Sequence, residues 1–401
     1  MTYHNAQKSV GIAGGGIGGL ALAILLRKAG HPVTVFEARN REELAEGVFL
    51  TLAPNGMNAL RLIGADGEVA ENGIATTAIE ILDERGRRLA LMDQLDHAEV
   101  YGAESVTIRR GTLAEILVRK AEDAGVSLRF GQRIGAVIDS ADGVEVETVE
   151  GGRAHFDMLA ACDGLRSSVR ELVFPEYPKP HFTGLNGAGG FVDVPELAPT
   201  HGTMRMTFGR EAFFGYIKAP GQPAFWFNSY PADSIAPDDA SPEAYARSLR
   251  HLHRDDPREN REILARLTQI DRDYPIFDMP PLPVWHSGNV VLVGDSAHAV
   301  GPHAGQGASM AIEDAMVLAA CLAAETSSTA AFSRYEKLRR GRVAEIVKQT
   351  SRNASQKSAR GRLGLFIRNL ILPFVIPLGI KTARRFYAYR VDRDPLAMPA
   401  R

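Results

Sequence analysis

The chain has 401 residues, 45% hydrophobic and 23% charged, with a formal net charge of -2. That length can bury a large core divided over two or three structural units. The near-neutral balance gives no electrostatic case for nucleic acid as a partner, and the absence of C-x-x-C and H-E-x-x-H patterns gives none for a metal site. Cys162 and Cys321, each flanked by Ala, read as buried inert thiols in a reducing compartment. With a short polar N-terminus, no signal peptide is expected and the cytoplasm is the expected location.

Residues 10–13 form a short apolar strand followed directly by Gly14-Gly15-Gly16-Ile17-Gly18-Gly19, and residues 20–28 continue as an apolar helix. Gly14, Gly16 and Gly19 satisfy G-x-G-x-x-G, which serves a tight turn, the approach of a pyrophosphate and helix–strand packing. A second strand, 32–36, ends at Glu37, about twenty residues after the glycines, where a carboxylate can accept from an adenosine ribose. Residues 44–64 contain a strand-like stretch that the Pro54-Asn55-Gly56 sequence is expected to close as a turn. Alternation over 78–92 predicts strands, and residues 106–110 lead into a helix over 112–125. Strands at 127–130 and 144–149 are expected to return to the sheet. The strand at 158–162 ends in Asp163-Gly164, followed by a helix from Arg166.

Residues 181–230 are rich in Phe, Met and Gly and read as antiparallel strands. Met204, Met206 and Phe208 share one face, as do Phe214 with Tyr216 and Phe225 with Phe227. Such a face is either core or the wall of a pocket for a flat apolar ligand. A polar helical stretch spans 242–267. Residues 290–293 then form a buried strand ending at Gly294-Asp295, and Gly305-Gln306-Gly307 opens a long helix whose first N–H groups favour negative charge. From Arg334 to Arg368 there are eleven Lys or Arg against two Glu, ahead of an apolar segment at 370–380. That segment is too short to span a bilayer, which takes about 20 residues. It is expected to pack over the domains, with peripheral membrane contact as the alternative.

The order of the glycine motif, Glu37, Arg110, Asp163-Gly164, Gly294-Asp295, Pro302 and Gly305-Gln306-Gly307 resembles the class A flavoprotein monooxygenases of the para-hydroxybenzoate hydroxylase fold. The resemblance covers about residues 8–345. It implies an α/β fold with a discontinuous Rossmann-like FAD-binding domain (1–75, 101–177 and 272–345). An inserted, mostly antiparallel β-sheet substrate domain (76–100 and 178–271) and a C-terminal helix and extension (346–401) complete it. It also implies one tightly held FAD, NADPH or NADH as a transient reductant, and dioxygen as co-substrate. By the family pattern Gly14, Gly16, Ile17, Gly18 and Gly19 meet the pyrophosphate, and Glu37 with Ala38 the adenosine end. Arg110 lies along the phosphate and ribityl region, with Ile134 among the cofactor-binding residues. Asp163 belongs to the D-G motif, and Asp295 holds the ribityl chain. Pro302, Gly305, Gln306, Gly307, Ala308 and Ser309 face the isoalloxazine, with Gly47 near its other edge. Arg109 stands where the family often has histidine.

The expected chemistry is hydroxylation of a planar aromatic or polyketide-like molecule through a flavin C4a-hydroperoxide, kept dry by the protein. The expected substrate pocket comprises Phe49, Met204, Met206, Phe214, Tyr216, Phe225, Phe227 and His303. His303 is the one candidate general base. Three readings compete: a reductase or dehydrogenase of the same fold without oxygen insertion, a halogenase, and a flavoprotein that sequesters a flat ligand. The tryptophan signature of the halogenases is absent, since Trp226 and Trp285 stand alone.

Overall fold

Four consecutive buried side chains in Val10–Ala13 require a strand covered on both faces. This strand lies inside a six-stranded sheet, between Met158–Ala161 and Val33–Glu37 and parallel to both. Val290–Leu292 and Ser127–Phe130 extend the parallel sheet on either side, and His286–Ser287 closes one edge antiparallel. The computed structural model describes residues 7–233, 241–268, 270, 274–357, 370–372, 376, 379 and 381–391, with backbone alone at 354–357. Helix Ile17–Lys28 crosses helix Gly307–Ala324, where Gly18 lets the two approach: a Cβ there would stand 3.1 Å from the Ala311 Cβ. Gly307–Ala324 is long and apolar enough to cross a membrane, but it is mostly buried as the central core helix.

The second large sheet has seven strands in the order Tyr274–Asp278, His181–Val192, Ala224–Pro231, Phe213–Ile217, Thr203–Phe208, Ala78–Asp83 and Arg88–Asp93. Pairing is antiparallel except between Thr203–Phe208 and Ala78–Asp83. Register decides which aromatic residues share a face. Gly215 pairs with Phe227, and Ile217 with Phe225. Met204, Met206, Ile217, Phe225 and Phe227 therefore gather with Phe191 and with Phe49 of the separate strand Phe49–Leu52 on one face of this sheet. Phe214 and Tyr216 point the other way. They pack with Trp226 beneath Leu249, Ile263 and Leu264 of helices Pro242–Leu252 and Arg258–Ala265. The expectation that Phe214 and Tyr216 line the pocket is thus corrected: a period of two groups them together but does not say which side a helix covers.

Other expectations change too. Pro54-Asn55-Gly56 is no turn; Pro54 occupies the first position of helix Pro54–Ile63, where its missing N–H costs nothing. Strand Gly143–Thr148 does not rejoin the parallel sheet. It forms a small antiparallel sheet with Ile134–Ser140 and Arg153–Phe156. Tyr274–Asp278 edges the seven-stranded sheet, so the chain leaves that sheet after residue 278 rather than 271. The helical stretch at 242–267 is two helices. At the C-terminus, Leu372 and Ile376 are buried against Phe208 and Phe213, while Leu370 (61%) and Ile371 (47%) are exposed. Much of the basic-apolar segment, including residues 358–369, lies outside the described residues.

Candidate active site

Gly14 has φ +96, a left-handed conformation, and a Cβ there would lie 2.5 Å from the Cys162 carbonyl oxygen. The turn therefore runs close to the neighbouring strand and delivers Gly16 as the N-cap of helix Ile17–Lys28. No side chain caps that helix, so its first N–H groups point outward unpaired. Among the described residues, no atom beyond its chain neighbours lies within 4 Å of the place a Gly16 Cβ would occupy. Glu37, at the end of the adjacent strand, is buried and bridges this turn. Its Oε2 accepts from Gly15 N at 2.8 Å, and its Oε1 accepts from Arg39 N at 2.9 Å. Ala38 is half-buried beside it. Gly18 faces Ala311, so what it can offer the open side is its N–H.

Farther along the same opening, Asp295 and Arg110 follow the carboxyl ends of strands Val290–Leu292 and Val106–Arg109, and Gly47, just ahead of the antiparallel strand Phe49–Leu52, lies against Arg110. The Arg110 Cδ would be 3.5 Å from a Cβ on Gly47, and Arg110 N donates to Val48 O at 2.9 Å. Asp295 and Arg110 both reach solvent, yet protein surrounds them closely, as at the bottom of a cleft. Burial pushes the Asp295 carboxyl up, against the pull of His298 and Arg110. It pushes the Arg110 guanidinium down, reinforced by Arg39 and opposed by Asp295 and Glu37. Asp163, beyond Gly14, has Oδ2 accepting from Val169 N at 3.1 Å and a buried Oδ1 with no hydrogen-bond partner. Burial pushes its carboxyl up as well. Ile134 is core, and its carbonyl accepts from Ser168 Oγ at 3.3 Å.

The loop before the core helix supplies the far wall. Pro302 and Gly305 are exposed, and among the described residues no atom beyond the chain neighbours lies within 4 Å of a Cβ built on Gly305 or Gly307. Gln306 and Ser309 turn inward instead. The Gln306 Oε1 accepts from Asn55 Nδ2 at 2.9 Å, and the buried Ser309 Oγ faces Gly56 of helix Pro54–Ile63. Ala308 is half-buried. The His303 carbonyl accepts from Asn353 Nδ2 at 2.9 Å, and its ring lies over Gly301.

Sequence reasoning missed Asn55, Glu313, Asp314 and Arg339. Asn55 Nδ2 also donates to Glu313 Oε1 at 2.8 Å, and Asp314 Oδ2 accepts from Gly294 N at 3.1 Å and bonds His298 Nε2 at 2.7 Å. Pro54 at a helix start was the one local signal for Asn55. Nothing local marks the rest. Among the described residues, no group of His, Cys, Asp and Glu is placed to hold a metal ion.

The open glycine cradle, two uncapped helix starts and an acid–arginine pair along one cleft fit an extended dinucleotide. A family model described as the FAD binding domain matches residues 7–350. The chain belongs to this FAD-binding family. The aurachin C monooxygenase/isomerase of Stigmatella aurantiaca is 34% identical over 343 residues, which is 84% of this chain and 86% of that protein. The FAD-dependent urate hydroxylase of Klebsiella pneumoniae is 30% identical, covering 84% of this chain and 87% of its own length. In three dimensions, the crystal structure of Klebsiella pneumoniae HpxO complexed with FAD and uric acid superposes with a TM-score of 0.81 at 24% identity, covering 98% of this chain and 97% of that one. The protein is accordingly an FAD-dependent monooxygenase, an oxidoreductase of the α/β fold that the motifs implied.

Proposed function

We propose that this protein consumes NADPH or NADH and dioxygen to hydroxylate a planar aromatic or polycyclic small molecule. The observation that carries the reading is the apolar sheet face of Phe49, Phe191, Met204, Phe225 and Phe227, set beside the cleft that fits FAD. Bound FAD accepts hydride and activates dioxygen. The chain's own groups bind, orient and exclude water. The N–H groups after Gly16 take the pyrophosphate, and Glu37 the adenosine ribose. Arg110 lies along the phosphates, and Asp295 accepts from ribityl hydroxyls. The start of helix Gly307–Ala324 would aim its positive end at negative charge on the bound ring system. The aromatic face keeps that region dry. Its flat rings fit the substrates named for relatives, such as urate.

Two side points follow from the same packing. Burial pushes the Cys321 thiol up to about 11 and the Cys162 thiol higher still, so both stay protonated and unreactive. Such free thiols suit a cytoplasmic location. For the C-terminal segment, burial of Leu372 and Ile376 supports packing on the sheet rather than membrane contact. The full chain is then expected to stay in the supernatant when spun with anionic vesicles.

The test of the main reading is product mass after incubation of the FAD-loaded protein with NADPH, a panel of phenols and polycyclic compounds, and isotopically labelled dioxygen. One labelled oxygen in a product is expected. A flavin that stays oxidised under both NADPH and NADH with every compound would overturn the reading. A second test addresses Asp295. Asp295→Ala is expected to weaken FAD binding about 10–100-fold, as loss of charge-assisted hydrogen bonds does, in a titration of the apoprotein with FAD.

A further inference from the structure

Strand Val106–Arg109 hands the chain to helix Arg110–Asp123 through two consecutive arginines whose side chains part company. Arg110 goes to the cleft with Asp295 and Glu37. Arg109 goes to the aromatic wall. It stands opposite Phe49 in the strand register, with its guanidinium carbon 3.9 Å from the ring centre of Phe191 and 5.3 Å from that of Phe225. The rings under it form one cluster: Phe191 and Phe225 meet edge to face at 4.6 Å, and Phe49 lies 5.3 Å from Phe225.

Among the described residues, the Arg109 side chain has no hydrogen bond and no ion pair, and the residue is exposed. Glu80, on the seven-stranded sheet, is no partner for it: that carboxylate lies 3.2 Å from Arg205, at strand positions that pair with Tyr216 on the opposite, helix-covered face. Stacking uses the face of a guanidinium and leaves its edge of N–H donors available. It also holds the plane still, so that less side-chain freedom is lost when those donors are engaged. The guanidinium's charge and its N–H edge therefore favour a negative oxygen carried at the rim of a flat molecule.

We propose that Arg109 is a specificity-determining residue of the substrate pocket. It takes an anionic oxygen, a carboxylate or a phenolate, on a planar aromatic substrate whose ring lies against the part-exposed Phe49 and Phe227 of the same cluster. This rests on the hydroxylase reading for the existence of an aromatic substrate, but its test does not need turnover.

The experiment is ligand binding to the FAD-loaded protein without reductant, followed by the flavin absorbance and by calorimetry. Benzoate and salicylate are compared with benzamide and salicylamide, and para-nitrophenol above its own ionisation with para-nitroanisole. The native protein is expected to prefer the anion of at least one pair by tenfold or more. Which pair responds separates a carboxylate from a phenolate substrate. Arg109→Gln is expected to lower affinity for that anion about 10–100-fold and to leave its neutral counterpart within about twofold. Arg109→Lys should recover part of the loss, since it keeps the charge without the fork. Retained FAD and an unchanged melting temperature check that each variant is folded. Equal loss for anion and neutral compound, or no preference for any anion in the native protein, overturns the assignment. If the hydroxylase reading alone is wrong, Arg109-dependent anion binding persists with no labelled oxygen in any product.

Discussion

Arg339→Met is expected to destabilise the protein by about 3–5 kcal/mol, because it strands two buried carboxylates at once. Arg339 is 0% exposed; its Nε donates to Asp314 Oδ1 at 2.5 Å and its Nη2 to Glu313 Oε2 at 2.8 Å. Arg342 partly compensates Glu313, donating to its two oxygens at 2.7 Å each. Asp314 would keep only His298 and the Gly294 N–H. Denaturant unfolding measures the cost. Asn55 and Gln306 hang from Glu313, and Gly294 from Asp314, so weaker FAD retention should accompany the lost stability. Arg339→Lys should lose less, because it keeps the charge while serving one acid well instead of two.

The same network predicts a pH dependence. Burial alone would raise the Asp314 carboxyl, but Arg339 and His298 outweigh it and hold the group at about 2. A folded value below the unfolded one means that the contribution is fully present above the ordinary carboxylate range and lost as pH falls through the folded value. Native protein should therefore lose on the order of 2 kcal/mol from this group between roughly pH 4 and pH 2. In Arg339→Met the folded value rises toward or above the unfolded one, because burial is then opposed by His298 without the arginine, so that acid loss should shrink or reverse.

Gly19→Ala is the second large effect, and the protein is expected to emerge without FAD. A Cβ on Gly19 would stand 2.0 Å from the Gly14 carbonyl oxygen and 3.2 Å from the Cys162 Cβ. Backbone on one side and the next strand on the other leave nothing flexible to move. Helix Ile17–Lys28 must lift from its strand, at a cost of about 1–3 kcal/mol or more. Its first N–H groups then leave the line they share with the Gly14 turn. Titration of the apoprotein with FAD should show at least a tenfold rise in Kd. Gly341→Ala is the control. It lies in helix Ser328–Lys357, and among the described residues nothing outside its own helix backbone and chain neighbours lies within 4 Å of the new Cβ, so alanine should keep FAD and slightly stabilise the helix.

The cofactor half of the site was legible in the residue order because it is built from local devices. Gly14 to Gly19, Glu37 and Gly294-Asp295 each sit at the end of a strand and act through backbone geometry within a few residues. Short apolar strands and glycine turns carry that information in their own sequence. The substrate half was legible only as a composition. Alternation grouped Phe214 with Tyr216 and Phe225 with Phe227, but register and the helices Pro242–Leu252 and Arg258–Ala265 buried the first pair and put the second on the other face, packed with Phe49 and Phe191. Adjacent in sequence, Arg109 and Arg110 were separated by the strand-to-helix step alone, one to the rings and one to the acids. The buried pairing of Glu313 and Asp314 with Arg339 joins residues about twenty-five positions apart on two helices. The sequence by itself determined the nucleotide-binding frame, since local backbone conformation creates it. Tertiary structure decided which side chains face the substrate and which charges neutralise one another, since both depend on what packs across from them.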